Sequence, residues 1–351
     1  MFPDQPQQMQ PRQVTTTNPD RQMCIVRVSP CGQYVVGGGY DASVRRWQLN
    51  DDGFGDFPTL TGHHGWVQAM AFHPDRRRLI TADSWGEIRI WPYTDREARP
   101  QHTIANAHDG WIRDIAVNGN GEMFATCSRD QKVSLWDING RKIRDLTGHN
   151  EDVFCLAFHP DNRTLVSGDL KGNVFQWNIA TGQRTRTFDC TGLYTLSRLQ
   201  DVGGVRRLVF DAQGRTLACA GTTPRNGGNV QGTPTIHLFN WQSGERTHTL
   251  NVGNQGDGYV YDLAFHADGY VMAVSSGNPG TGKFYFHRPG EDAPFFLHTR
   301  MANCHSMSVH PDGNRLVVSA TNSGSNGNGR RLQNGEYAGN FSPLYLWEIA
   351  S

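Results

Sequence analysis

A tight turn closing a short apolar alternation recurs seven times in this 351-residue chain, and its spacing limits the fold more than any other feature. It reads Ser29-Pro30-Cys31-Gly32, His73-Pro74-Asp75-Arg76, Asn118-Gly119-Asn120-Gly121 and His159-Pro160-Asp161-Asn162 in the first half. In the second half it reads Asp211-Ala212-Gln213-Gly214, His266-Ala267-Asp268-Gly269 and His310-Pro311-Asp312-Gly313. The seven starts lie 44, 45, 41, 52, 55 and 44 residues apart. Proline presets the backbone angle of a turn's second residue, and Asp, Asn and Gly suit the positions after it. A period of this length means a stack of supersecondary units rather than one irregular core.

Each turn joins two short strands. Val67 to Phe72 and Val153 to Phe158 run into it, and a run such as Leu165 to Gly168 leaves it. A third run ends on an aromatic, at Trp47, Trp91, Trp136, Trp177, Phe239, Phe286 and Trp347. A fourth, more polar run such as Lys142 to Leu146 closes the unit. Helical periodicity is essentially missing, and the 40 Gly and 17 Pro supply the turns that so many strands need. Four strands per unit with GH and WD-like landmarks is the signature of a propeller blade.

In combination these motifs resemble the WD-repeat β-propeller family, from about Val14 to Ala350. The resemblance implies an all-β ring of seven four-stranded antiparallel blades. The chain ends on a third strand, Leu344 to Trp347, so the last blade needs a strand from elsewhere. Gln13 to Thr17 sits one strand before the first inner run and is expected to close the ring there, removing exposed sheet edges. Residues 1–12 are expected to be a polar, disordered tail, and 13–351 a single propeller.

The family also implies a buried hydrogen-bonded chain of His, Ser or Thr, Asp and Trp. The third unit carries it in full: His108, then Thr126 or Ser128 as the hydroxyl, Asp130 and Trp136. The second has His63 and Trp91 but Trp85 at the Asp position; the fourth has His149 and Trp177 but Lys171 there. In both, an Asp two residues earlier (Asp83, Asp169) is a substitute carboxylate. The first has Asp41 and Trp47, with Pro19 in place of His. Units five to seven place Asp201, Gly256 and Arg300 at the His position, so no such network is expected there. A His/hydroxyl/Asp set also suggests a hydrolase, but here the hydroxyl would be tied to Trp inside a blade.

In such propellers the loops joining strand d to a and b to c share one face, here called the upper face, around a central channel. Tyr40, Trp66, Trp85, Trp111, Arg129 and Lys171 fall on those loops. Aromatic and Arg side chains are the types that anchor interfaces. Long loops at Thr222 to Pro234, Ser276 to Gly282 and Ala320 to Pro343, with the connection Asp189 to Gly204, add Arg225, Arg330, Arg331, Tyr337 and Phe341. Their Gly and Asn content favours partial disorder.

The expected function is therefore a non-catalytic scaffold that binds a protein or peptide, either as a monomer or within a larger complex. No cofactor or metal is expected. The turn histidines His73, His159, His266 and His310 sit on the opposite face and are too dispersed to share an ion. Asn278 to Lys283 echoes a phosphate loop without its spacing or context, and Asn162-Arg163-Thr164 is a sequon by letters only. Seven cysteines, none in a CxxC pair, read as reduced; Cys24, Cys127, Cys155 and Cys219 sit where small packing residues serve. The polar start lacks a signal peptide's features, and no apolar run reaches the ~18 residues of a span, so a cytoplasmic protein is expected, with the nucleus also open to it. Two alternatives are weighed. An enzyme would draw on channel residues such as Arg113, Asp114, Asp262 and His305. A nucleic-acid adaptor would need a basic patch on a chain whose 33 Lys and Arg balance 33 Asp and Glu.

Overall fold

The computed structural model describes residues 10–51, 53–225, 232–277, 280–322, 331–333 and 336–349, with the backbone alone for 331–333 and 336–338. Seven four-stranded antiparallel sheets stand around one axis, each a meander with strands a to d in order from the axis outwards. The second blade runs Val67–Phe72, Arg78–Asp83, Ile88–Pro92 and His102–Ile104. The third runs Ile112–Val117, Met123–Ser128, Val133–Asp137 and Lys142–Leu146. Each strand a touches strand a of both neighbours, so the ring is closed.

The burial along the strands follows from that position. In every blade strand b is sandwiched between neighbours and is almost wholly buried, as in Met23–Val28's partner Tyr34–Gly39. Strand d is wet on its outer edge, as in Lys142–Leu146. Separate apolar clusters fill the gaps between successive blades; one joins Ala125, Val133 and Leu146 of the third to Leu156, Leu165 and Trp177 of the fourth.

The closing strand is found where the sequence places it. Arg12–Thr17 pairs antiparallel with Leu344–Glu348, and Cys304–Val309 and Arg315–Ala320 complete the seventh blade. Of the tail expected over residues 1–12, Arg12 belongs to the closing strand and 1–9 lie outside the described residues.

The turn histidines have a mechanical use on the lower face. His73, His159 and His310 each hydrogen-bond through Nε2 with a glycine carbonyl in the next blade's a–b turn: Gly121 (2.7 Å), Gly214 (2.9 Å) and Gly32 (3.0 Å). All three glycines have positive φ, and a Cβ on any of them would fall within 2.6 Å of the imidazole. Glycine is required there twice over, by backbone conformation and by the approach of the ring.

Two insertions depart from the sequence expectation. The loop after Thr222 is partly regular: strands b and c of the fifth blade, Thr216–Pro224 and Gly232–Asn240, extend to pair Pro224 with Gly232. The connection Asp189 to Gly204 forms an ordered hairpin, Tyr194–Ser197 with Gln200–Gly203, tied at its base by a hydrogen bond from Gly203 N–H to Tyr259 Oη (3.2 Å). Its two-residue turn is Arg198-Leu199, both at positive φ (50° and 62°), where Asn-Gly is the usual choice. Leu199 at its tip is 95% exposed.

Candidate functional site

Three of the His-hydroxyl-Asp-Trp chains form, each inside a blade. In the third blade Trp136 Nε1 donates to Thr126 Oγ1 (2.9 Å), Thr126 meets His108 Nε2 (2.7 Å), and His108 Nδ1 meets Asp130 (2.9 Å). The carboxylate only accepts, so Nδ1 carries the proton, Nε2 accepts, and the threonine O–H donates to it. Thr126 is the hydroxyl; Ser128 instead accepts the N–H of Asp130. The second blade repeats this with Trp91, Thr81, His63 and Asp83, and the fourth with Trp177, Ser167, His149 and Asp169. In the first blade Arg45 bridges Asp20 and Asp41 where a histidine would stand, and Trp47 is buried. In the seventh, where Arg300 replaces His, the buried Trp347 indole N–H has no partner among the described residues. Thr81, Thr126 and Ser167 are fully buried, so no nucleophile faces a substrate here.

His63, Asp83 and Glu87 bring three donor atoms within 4.8 Å, but all are engaged: Asp83 also accepts the N–H groups of Gly65, Trp85 and Glu87, and Glu87 pairs with Arg89. Burial raises the Asp83 carboxyl, and the hydrogen bonds from His63 and these N–H groups outweigh it, holding the group well below its ordinary range. A depressed folded pKa gives stability that is complete above the unfolded value of ~3.9 and is lost as pH falls through the folded one. Asp83→Asn is therefore expected to cost about 1–3 kcal/mol at pH 7 and to lose less than the wild type on acidification from pH ~5 to pH ~2. Urea denaturation across that range checks it; parallel slopes would remove Asp83 as the group responsible.

The channel is built by one repeated backbone device. Six blades carry a register irregularity at the start of strand a, leaving Cys24, Gln68, Arg113, Phe154, Tyr261 and His305 as the extra residue. In the fifth, Arg206 stands just before the strand. A bulge re-aims its side chain. All seven residues line one cavity of about 230 Å³ opening on the upper face. Each lies five positions before its a–b turn.

Below this ring the channel is plugged by charge. Arg27 donates to Asp262 Oδ2 (2.8 Å), and Arg207 spans Asp262 Oδ1 (3.0 Å) and Asp114 Oδ2 (3.4 Å). Backbone N–H groups of Ile115 and Leu156 complete Asp114; Leu263, Met307 and the Ser306 hydroxyl complete Asp262. Burial raises Asp262, but Arg27 and Arg207 bring it below its ordinary value, whereas Asp114, held less closely, is left raised by burial. Of the four channel residues singled out from sequence, Asp114 and Asp262 meet through Arg207. Arg113 turns to Asp152 (3.1 Å), and His305 packs against Tyr261. Burial lowers His305 to about 4, so it is neutral near pH 7. Arg27, Arg206 and Arg207 escaped the sequence reading.

Around the mouth runs an aromatic rim. Tyr40 meets Trp66 edge-on (5.2 Å), Trp66 meets Trp111 (5.4 Å), and Arg113 lies over Trp111 (4.5 Å). Trp85 is 68% exposed on its turn and stacks on His64. Arg129 and Arg225 stand exposed, and Lys171 is exposed but paired with Glu151. Arg330 lies outside the described residues; Tyr337 pairs through its backbone with Leu332, and its side chain lies outside them. Among the described residues, six of the nine exposed large hydrophobics (Tyr40, Trp66, Trp85, Leu196, Leu199 and Tyr261) belong to this face or the mouth; the others, Val14, Ile143 and Leu297, are on outer strands.

Residues 57–92, 98–137 and 140–178 match the family model described as WD domain, G-beta repeat. The chain is similar to the guanine nucleotide-binding protein subunit beta of Oryza sativa subsp. japonica (30% identical over 262 residues) and of Zea mays (28% over the same length). Each match covers 71% of this chain and 65% of the relative. A weaker likeness, 22% over 183 residues, joins 51% of the chain to 25% of Protein groucho of Drosophila melanogaster. The chain thus spans just under two thirds of the beta subunits it matches.

Proposed function

Given that the chain belongs to the WD-repeat β-propeller family, we propose that it is a non-catalytic platform that docks a protein partner on its upper face. The one-sided placement of exposed Trp, Tyr and Leu around the channel mouth carries this reading. Large aromatic surfaces exposed together mark contact sites, whereas single ones scattered over a surface do not. A closed ring holds these groups without further ordering, so little entropy is lost when a partner arrives.

The absence of catalysis belongs to the same proposal. Asp114 and Asp262 are spent on arginines and backbone N–H groups, so neither is poised as a free base. A cytoplasmic location is also proposed. Among the described residues no helix is long and apolar enough to cross a membrane. The domain division proposed is one propeller from the closing strand onward, preceded by a polar tail.

The test is the triple variant Trp66→Ala, Trp85→Ala, Trp111→Ala. With two or more anchors lost at ~2 kcal/mol each, capture of the partner that co-purifies with the wild type should fall at least ~100-fold. The melting temperature should hold within a few degrees. Undiminished capture by a folded variant would overturn the upper face as the docking surface.

A further inference from the structure

The charges at the channel mouth do not balance, and the imbalance names a ligand chemistry. Four arginines and two aspartates line the cavity. Arg27 and Arg207 are ion-paired with Asp262 and Asp114 in the plug, Arg207 Nε facing Asp262 without a hydrogen bond. Arg113 has Asp152 for one of its nitrogens, but its buried Nε has no partner. Arg206 has no carboxylate and no side-chain hydrogen bond among the described residues. Its guanidinium lies over the face of Phe154 (3.9 Å) and within 5.1 Å of Tyr259. Arg113 lies over the same Phe154 at 5.2 Å. Two cations thus share one phenyl ring, and each makes the other costlier unless an anion joins them; Arg206 lowers the Arg113 pKa, adding to the larger effect of burial.

Stacking also fixes geometry. A guanidinium held flat against aromatic rings presents its N–H groups edgewise, in the fork that matches a planar two-oxygen acceptor. The cavity, about 230 Å³, has room for a side chain and not for a folded element. Around it stand Tyr40, Trp66 and Trp111, able to grip the residues on either side of such a group.

We propose that the mouth takes an acidic side chain of the docked partner, its oxyanion held by Arg206 and Arg113 beside Phe154. The inference rests on the docking reading above and adds the chemistry of one subsite. The shared chemistry is a peptide-borne oxyanion, either a carboxylate or a phosphomonoester; the carboxylate is preferred because it is planar.

The test uses the full chain. A phage-displayed library of short random peptides is selected on the wild type, and one selected peptide is synthesised in matched forms. The expected result is an obligatory Asp or Glu. Changing it to Asn or Gln should weaken binding to the wild type about 10- to 100-fold, as befits a lost charge-assisted fork. Phosphoserine at that place tells the second source from the first: stronger binding would assign the subsite to a phosphomonoester, equal or weaker binding to a carboxylate. Arg206→Met, checked for an unchanged melting temperature, should abolish the preference for acid over amide, and Arg206→Lys should restore it in part. The amide comparison on the wild type needs no variant, so it stands even if Arg206→Met fails to fold. Peptides that bind the upper face with no acidic requirement would overturn this inference and leave the docking reading intact. Failure of any peptide to bind, with the triple tryptophan variant still capturing its partner, would overturn the docking reading first. Equal binding of an oligothymidylate at low salt would show a general polyanion surface and overturn the proposal.

Discussion

Asp262→Ala is expected to cost about 3–5 kcal/mol of stability, the largest single-residue effect in the molecule. Removing one member of a buried charged set leaves its partners desolvated and unpaired. Here two arginines depend on one carboxylate: Arg27 and Arg207 reach Asp262 at 2.8 and 3.0 Å. The Ser306 hydroxyl and the Met307 N–H lose the same acceptor. These groups come from four blades, so the damage lands at the middle of the ring. Asp114→Ala should cost less, because its link to Arg207 is longer at 3.4 Å. Urea denaturation at neutral pH checks both. A loss below ~1 kcal/mol for Asp262→Ala would mean that water screens the plug as it screens a surface pair. The fourfold change Arg27→Met, Arg207→Met, Asp262→Leu, Asp114→Leu should recover part of the loss, because apolar replacements of similar volume remove the orphaned charges.

Deleting residues 1–17 is expected to turn a well-behaved protein into an aggregating one. The strand lost, Arg12–Thr17, buries little side chain; its contribution is the ladder with Leu344–Glu348. Those hydrogen bonds, at ~1 kcal/mol each, are largely offset by the ~1–2 kcal/mol per residue of freed backbone. The equilibrium loss alone is therefore modest. The larger consequence is an open strand edge on a blade whose Leu344, Leu346 and Trp347 are buried beneath it. Light scattering against concentration should show growth in size for the deletion and none for the full chain. A monomeric, fully stable deletion would mean that the last blade does not need this strand.

The architecture was legible in the sequence because it depends on turns. Pro, Asp and Gly mark seven equivalent corners, and the missing fourth strand of the last blade points back to Gln13 to Thr17. The substitute carboxylates Asp83 and Asp169 could be read for the same reason: they keep a fixed distance from a histidine. Of the channel ring only Arg113 and His305 were singled out, although its positions are as regular as the turns. Cys24, Gln68, Arg113, Phe154, Arg206, Tyr261 and His305 share no chemistry, so a search for like residues passes over them. A search by offset from the turn would have found all seven. The hairpin after Asp189 was missed because its corner, Arg198-Leu199, has neither Gly nor Asn.

The bulge at the head of strand a has a further consequence. It gives six of the seven blades one side chain at the mouth, and in the fifth Arg206 takes the equivalent place just before the strand. The ring is nearly sevenfold in its backbone, yet its lining is as lopsided as a clock face with a single numeral painted on. The unpaired Arg206 and the singly paired Arg113 flank the fourth blade, and the neutral Tyr261, His305 and Cys24 lie across from them. A visitor whose charge seeks that side can enter in one bearing only. The heading is set by seven interchangeable letters, which can be respelled without rebuilding the wheel that carries them.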